Sequence, residues 1–169
     1  MKKIKIGICG WGTVATALHR SILENKNQIK RTHQVDLEIV AIGARRDNPK
    51  YSAGKTKVLR NIFDVLDEDI DVLVELIGGT DDAKTLISSA FEKKIPVVTA
   101  NKAVIYEYGD ILLERHLTMV LIFFLKLQSV LELQQLICLK MILLEINFCL
   151  SKACLMEHLT LLFHKWKME

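Results

Sequence analysis

Near its amino terminus the chain reads Lys5-Ile6-Gly7-Ile8-Cys9-Gly10-Trp11-Gly12-Thr13-Val14-Ala15, and no other stretch so narrows what it can fold into. Before the glycines, Ile4, Ile6 and Ile8 alternate with Lys3, Lys5 and Gly7, the two-residue period of a strand over 3–9. After them, Val14, Ala17, Leu18, Ser21 and Ile22 recur at helical spacing, to about Asn25. The turn between has the spacing G-x-G-x-x-A. In that pattern the first glycine permits a tight strand-to-helix turn, and the second removes a Cβ that would block a pyrophosphate. The third small residue lets helix and strand pack closely. Free N–H groups and the positive end of the helix dipole then face the anion.

The next elements supply a context for this turn. Leu37–Gly43 reads as a second, buried strand after a polar connection over Asn25–Gln34. Asp47-Asn48-Pro49 signals a turn, and 61–66 a short helical piece. Val72–Ile77 reads as a third strand closed by Gly78-Gly79, with Thr80 or Asp81 able to cap a helix to Lys94. Asp81 and Asp82 in its first turn and Lys93 and Lys94 in its last suit the dipole. Pro96–Thr99 is a fourth strand, and Asn101 can cap a helix through Leu113. Strands alternating with helices predict an α/β, Rossmann-like, doubly wound parallel sheet, with the glycine turn where such a sheet binds its nucleotide.

Three further groups stand at strand ends. Arg45-Arg46 follow the second strand, where cations suit the 2′-phosphate of NADP and a carboxylate would suit the ribose hydroxyls of NAD. Glu75-Leu76-Ile77-Gly78-Gly79-Thr80 ends the third strand; its glycines let the chain pass close to a flat ligand. Glu75 either sits at the strand edge or is buried with partners, since unpaired burial is costly. Thr99-Ala100-Asn101-Lys102 ends the fourth strand. A lysine in a helix's first turn opposes the dipole, yet at this end of a parallel sheet it can orient a carbonyl or stabilise an alkoxide.

Composition excludes several classes. The net charge is only +3 and no Lys/Arg run exceeds two, so nothing points to nucleic acid. Cys9, Cys138, Cys149 and Cys154 form no C-x-x-C pair, which leaves metal and disulfide frameworks unsupported and reduced thiols expected. Glycines interrupt the apolar run that a signal peptide would need, so a cytoplasmic chain is expected. There is also a break. All eight glycines and both prolines precede residue 110, while residues 116–169 hold neither, and 15 of those 54 residues are leucine. A folded domain needs Gly and Pro to turn its chain. The tail's longest uncharged stretch, His116–Leu125, is too short for the roughly 18 apolar residues of a membrane helix.

Together, Ile8-Cys9-Gly10-Trp11-Gly12-Thr13-Val14, Ala44-Arg45, Val74–Gly79 and Val98-Thr99-Ala100-Asn101-Lys102-Ala103 resemble homoserine dehydrogenase. The resemblance implies an NAD(P)-dependent oxidoreductase interconverting homoserine and aspartate semialdehyde, in threonine, methionine and isoleucine biosynthesis. It implies cofactor contacts by Gly10, Trp11, Gly12, Thr13, Val14, Arg45, Arg46, Gly78, Gly79, Thr80, Ala100 and Asn101, with NADP favoured through Arg45 and NAD possible. Lys102 would lie between nicotinamide and substrate. The family's third fingerprint position is usually Gly and is Ala15 here.

The resemblance covers about residues 1–115. It implies a substrate and dimerisation domain beyond, with a second catalytic lysine, and residues 116–169 match none of it. A frameshift near codon 115 would account for this. If Leu117-Thr118-Met119-Val120 is encoded TTG ACA ATG GTN, reading from the last base of the leucine codon gives Asp-Asn-Gly. If 125–130 is TTG AAG CTG CAG TCA GTN, the same offset gives Glu-Ala-Ala-Val-Ser. The expectation is therefore a dinucleotide-binding domain over 1–115 and an out-of-frame tail over 116–169, helical or disordered. Such a chain would have little turnover. Two other readings are a non-catalytic NADP-binding regulatory domain and an interaction module carried by the apolar tail.

Overall fold

The computed structural model describes residues 1–115 and 120–122; the expectations for the rest of the tail, and for Cys138, Cys149 and Cys154, lie outside the described residues. In chain order the elements are β1 (Lys2–Cys9), α1 (Thr13–Glu24), α2 (Lys26–His33), β2 (Val35–Gly43), β3 (Lys57–Leu59), a 3₁₀ turn (Ile62–Asp67), β4 (Val72–Glu75), α3 (Asp81–Glu92), β5 (Val97–Thr99), α4 (Lys102–Arg115) and β6 (Val120–Ile122). The six strands form one sheet in the order β3-β2-β1-β4-β5-β6. Every pairing is parallel. Chain direction through the sheet reverses between β1 and β4, the switch point at which doubly wound sheets open a ligand crevice.

The alternation in β1 sends its side chains to two cores. Ile4, Ile6 and Ile8 join Leu18 and Ile22 of α1 and Leu37 and Ile42 of β2 on one face. Cys9 joins Val65, Leu73, Leu86, Ile87, Phe91 and Ile105 on the other. Gly7 is needed on that second face, because a Cβ there would lie 2.6 Å from Val65 Cγ1 in the 3₁₀ turn. The same turn presses on Gly43, where a Cβ would meet the Ile62 Cα at 3.0 Å. Both sheet faces are thus covered, as a parallel sheet requires.

Several elements depart from the sequence reading. Lys26–His33, expected as a connection, is the helix α2. It buries only Ile29, so it carries no hydrophobic period to read. It is held instead by good helix formers, by Lys30, Arg31 and His33 in its last turn, and by a left-handed cap at Gln34. Lys26 and Lys30 also reach Asp36 at the start of β2. The expected third and fourth strands are β4 and β5, because three residues, Lys57–Leu59, add a strand beyond β2 that is too short to show a pattern. Helix α3 ends at Glu92, two residues short of the expected Lys94; Lys93 closes it and Lys94 has a positive φ of 59°. Lys93 therefore binds the Leu66 carbonyl and the Asp67 carboxylate across the fold. Within the stretch expected to be helical or disordered, Val120–Ile122 pairs with β5 as β6. Parallel pairing is made by backbone groups, so a run of aliphatic residues suffices for it.

Candidate functional site

The glycine turn lies where three strands end together. Gly10 N–H donates to the Gly43 carbonyl at 2.8 Å, and Leu76 N–H to the Cys9 carbonyl at 2.7 Å. Gly10 has φ +109°, and a Cβ on it would stand 2.5 Å from the Leu76 carbonyl oxygen. The first glycine is thus demanded by the fold itself. Gly12 differs, for nothing lies within 4 Å of where its Cβ would be. Space, not packing, is what this second glycine keeps.

Beyond Gly12, helix α1 begins bare. Its cap residue makes no side-chain bond, and its first turn holds no acidic residue. The unpaired N–H groups of that turn and the helix dipole are left for an anion. Ala15 is 1% exposed and packs against the sheet, as the third fingerprint position requires.

A cleft of about 650 Å³ opens over this turn, lined by Gly10, Trp11, Gly12, Ala44, Arg45, Arg46, Ile77, Gly78 and Asp82 among others. It brings together six of the residues singled out in the sequence, from three different loops. Thr13 and Val14 open α1 beside it without lining it. Arg45 is exposed, and its guanidinium forms an ion pair with Asp82 at 2.6 Å. Asp82, Asp47, Asn48 and Pro49 line the cleft and were missed. The sequence offered them only as helix-dipole charge and as a turn.

One wall is a loop fixed to α1. The side-chain N–H of Asn48 donates to the Trp11 carbonyl at 3.2 Å. His19 is 1% exposed on α1, with Nδ1 3.3 Å from the Tyr51 hydroxyl and Nε2 3.2 Å from the Thr56 hydroxyl. The Trp11 ring stands edge-on to His19, 5.2 Å between centroids. Burial holds the imidazole pKa below its usual value, so the neutral form is favoured. No local pattern could have joined His19 to residues more than thirty positions away.

The second group of motif residues sits at the ends of β4 and β5. Glu75 is fully buried, which excludes the strand-edge alternative. Its Oε1 accepts the Ile77 N–H at 2.8 Å, and its Oε2 accepts the Thr99 hydroxyl. Burial raises its pKa, against the opposing effect of Thr99, Ile77 and Asn101. Asn101 donates to the Gly79 carbonyl at 2.6 Å and the Ile77 carbonyl at 3.2 Å, and its Oδ1 accepts the Val104 N–H at 3.3 Å as a helix cap. Thr80 occupies the cap position of α3 but makes no side-chain cap bond. Gly79 has φ +87°, with open space around it and around Gly78. Ala100 joins β5 to Asn101. Lys102 is exposed in the first turn of α4 and does not line the cleft. Among the described residues no group of His, Cys, Asp or Glu could hold a metal ion, and no helix is long and apolar enough to cross a membrane.

This geometry has known counterparts. Residues 10–118 match the family model described as the NAD binding domain of homoserine dehydrogenase. The homoserine dehydrogenase of Pseudomonas aeruginosa is 44% identical over 111 residues, covering 65% of this chain and 26% of that protein. That of Bacillus subtilis is 31% identical over 118 residues, covering 67% and 27%. Among solved structures, the Staphylococcus aureus homoserine dehydrogenase at pH 6.0 superposes with a TM-score of 0.66 at 28% identity, covering 73% of this chain and 32% of that one. A hyperthermophilic archaeal homoserine dehydrogenase in complex with NADPH gives 0.55 at 27% identity, covering 72% and 43%. The chain spans about a quarter of the length of the curated relatives it matches. It belongs to the homoserine dehydrogenase family, and what it carries of that family is the NAD-binding domain.

Proposed function

We propose that the cleft binds NADP in preference to NAD, with the pyrophosphate over Gly10–Gly12 and the first turn of α1, and the 2′-phosphate on Arg45 and Arg46. The single observation that carries the dinucleotide site is the contrast between the two fingerprint glycines; the preference for NADP rests on the cations Arg45 and Arg46. One glycine is filled against backbone and the other faces open space beside an uncapped helix start. In this reading Trp11, Thr13 and Val14 contact the cofactor from one side, and Gly78, Gly79, Thr80, Ala100 and Asn101 from the other. When bound, the nicotinamide supplies a hydride for the aldehyde carbon of aspartate semialdehyde. Lys102 orients and polarises the substrate oxygen from the start of α4. Calorimetric titration of the full chain with NADPH and NADH tests the binding: saturable uptake with tighter NADPH is expected. Arg45→Asp should weaken NADPH selectively, and equal losses for both nucleotides would sink the assignment of Arg45.

We also infer that residues 116–169 do not continue the family's chain in frame, and that this chain alone has little turnover. Support comes from the loss of Gly and Pro after residue 109, and one reading offset would recover both expected segments if the codons are those supposed above. Sequencing the gene across codons 110–131 tests the first inference, and a gene with no one-base shift there would end it. NADP-dependent oxidation of homoserine by the purified 169-residue chain would overturn the second.

A further inference from the structure

We propose that Asp82 tunes the choice between 2′-phosphorylated and unphosphorylated dinucleotides by holding Arg45 across the mouth of the cleft; this rests on the reading of that cleft as a dinucleotide site. Arg45 follows β2 and Asp82 belongs to the first turn of α3, so the pair reaches from one lip to the other. Both residues line the cleft, and their side chains meet at 2.6 Å.

The residue after the second strand commonly decides the cofactor: a carboxylate there accepts the ribose hydroxyls, whereas a cation takes a 2′-phosphate. Here the cation stands at that place and a carboxylate reaches it from the opposite lip. Both recognition chemistries therefore meet at one point. A 2′-phosphate can take Arg45 only by displacing Asp82, and it must then lie near a like charge. An unphosphorylated ribose meets no such opposition, and its hydroxyls can donate to the Asp82 carboxylate. Arg45 pulls the cleft toward NADP, and Asp82 pulls it back toward NAD.

The adjacent Asp81 provides an internal control. It carries the same charge in the same helical turn but does not line the cleft. The experiment is calorimetric titration of the full chain and of Asp82→Asn, Asp81→Asn, Arg45→Ala and Arg45→Ala/Asp82→Asn with NADPH and NADH, with far-UV circular dichroism checking each fold. Asp82→Asn should raise the NADPH-over-NADH affinity ratio by roughly two- to fivefold, the size expected for an exposed charge pair. The gain should shrink in about 1 M salt, where screening cuts the pair's reach. It should also be smaller when Arg45 is alanine. An unchanged ratio in Asp82→Asn, or an equal rise in Asp81→Asn, overturns the proposal while leaving the dinucleotide site intact. Wild-type chain that binds neither nucleotide overturns the site and the proposal together.

Discussion

Gly10→Ala and Gly12→Ala add the same methyl group two residues apart, and the structure assigns them opposite consequences. At position 10 the chain has φ +109°, and the new carbon would stand 2.5 Å from the Leu76 carbonyl oxygen and 2.7 Å from its carbon. Those atoms belong to backbone that leaves β4 bonded to Cys9, so they cannot retreat without opening the strand junction. A positive-φ penalty of roughly 1–3 kcal/mol and an overpacking penalty of roughly 1–3 kcal/mol together cost about 2–6 kcal/mol. Domains of this kind have about 5–15 kcal/mol to lose. At position 12 the chain has φ −85°, an ordinary value, and the new carbon meets no atom within 4 Å. Replacing a glycine cap with alanine costs about 1 kcal/mol or less. Urea unfolding followed by circular dichroism, with a slope of about 2 kcal/mol per molar, should lower the Gly10→Ala midpoint by roughly 1–3 M and the Gly12→Ala midpoint by roughly 0.5 M or less. The folded Gly12→Ala protein should then have lost most of its NADPH affinity if the proposed site holds, since its methyl occupies the open space proposed for the pyrophosphate. Equal midpoints for the two variants would refute the steric account. Unchanged NADPH binding by Gly12→Ala would refute the cradle.

Further outcomes follow from the buried polar groups. His19 has a folded pKa below its ordinary 6.5, so an unfolded chain takes up a proton first as the pH falls. The free energy of unfolding should therefore drop as pH descends through about 6.5, by at most about 1.4 kcal/mol per pH unit, and His19→Gln should remove that part of the slope in urea unfolding; a slope unchanged in the variant would contradict it. Glu75 has a folded pKa above its ordinary 4.5, so it contributes the opposite trend, stability lost as pH rises from about 4.5. Thr99→Val strips Oε2 of its donor and should cost about 1–3 kcal/mol while strengthening that trend, because the bond opposes the rise; a pH profile identical to wild type would exclude the hydrogen bond as an opposing influence. The Cys9 thiol is buried, with its pKa pushed up to about 12 mainly by burial and secondarily by the charge of Glu75. Iodoacetamide at pH 8 should leave the Cys9 peptide unmodified in the native chain and alkylate it in urea, as read by peptide mass spectrometry. Rapid native labelling would mean that the core around β1 opens readily.

What could be read beforehand was whatever depends on local period or on a glycine. β1, α1, β2, β4, α3, β5 and α4 all announced themselves through spacing, and Gly10 and Gly12 through the turn they bracket. Helix α2 was illegible because Ile29 alone is buried, and its other supports are charges and propensity, which leave no period. β3 was illegible because three residues carry no alternation. The site divides in the same way. Residues at strand ends were found from one-dimensional position, whereas Asp82, Asn48, His19 and Tyr51 owe their roles to contacts between residues far apart in the chain. Asp82 was seen only as a charge suited to a helix start, a role it can keep while also reaching Arg45 37 positions earlier.

The structure also gives a physical reason for two of the stretches that carry the resemblance, E-L-I-G-G and T-A-N-K, to belong together. They are the carboxyl ends of neighbouring strands, paired Glu75 to Thr99 in register. The Thr99 hydroxyl donates to Glu75 and accepts the Asn101 N–H at 3.0 Å, so one oxygen fixes both the buried carboxylate and the start of α4. The Asn101 amide then returns across the sheet to the Ile77 and Gly79 carbonyls, pinning a glycine pair that would otherwise have wide backbone freedom. Burying Glu75 is costly, yet each of its oxygens has a donor, and the result is a rigid junction where two glycines alone would be loose. Gly78 and Gly79 keep open space around them while the carbonyls of Ile77 and Gly79 on either side of Gly78 are held. That combination leaves open space above a fixed floor, and it sets the backbone from which Lys102 projects. The bond network therefore makes the position of Lys102 depend on Glu75, 27 residues earlier and wholly buried, and on the hydroxyl of Thr99 between them.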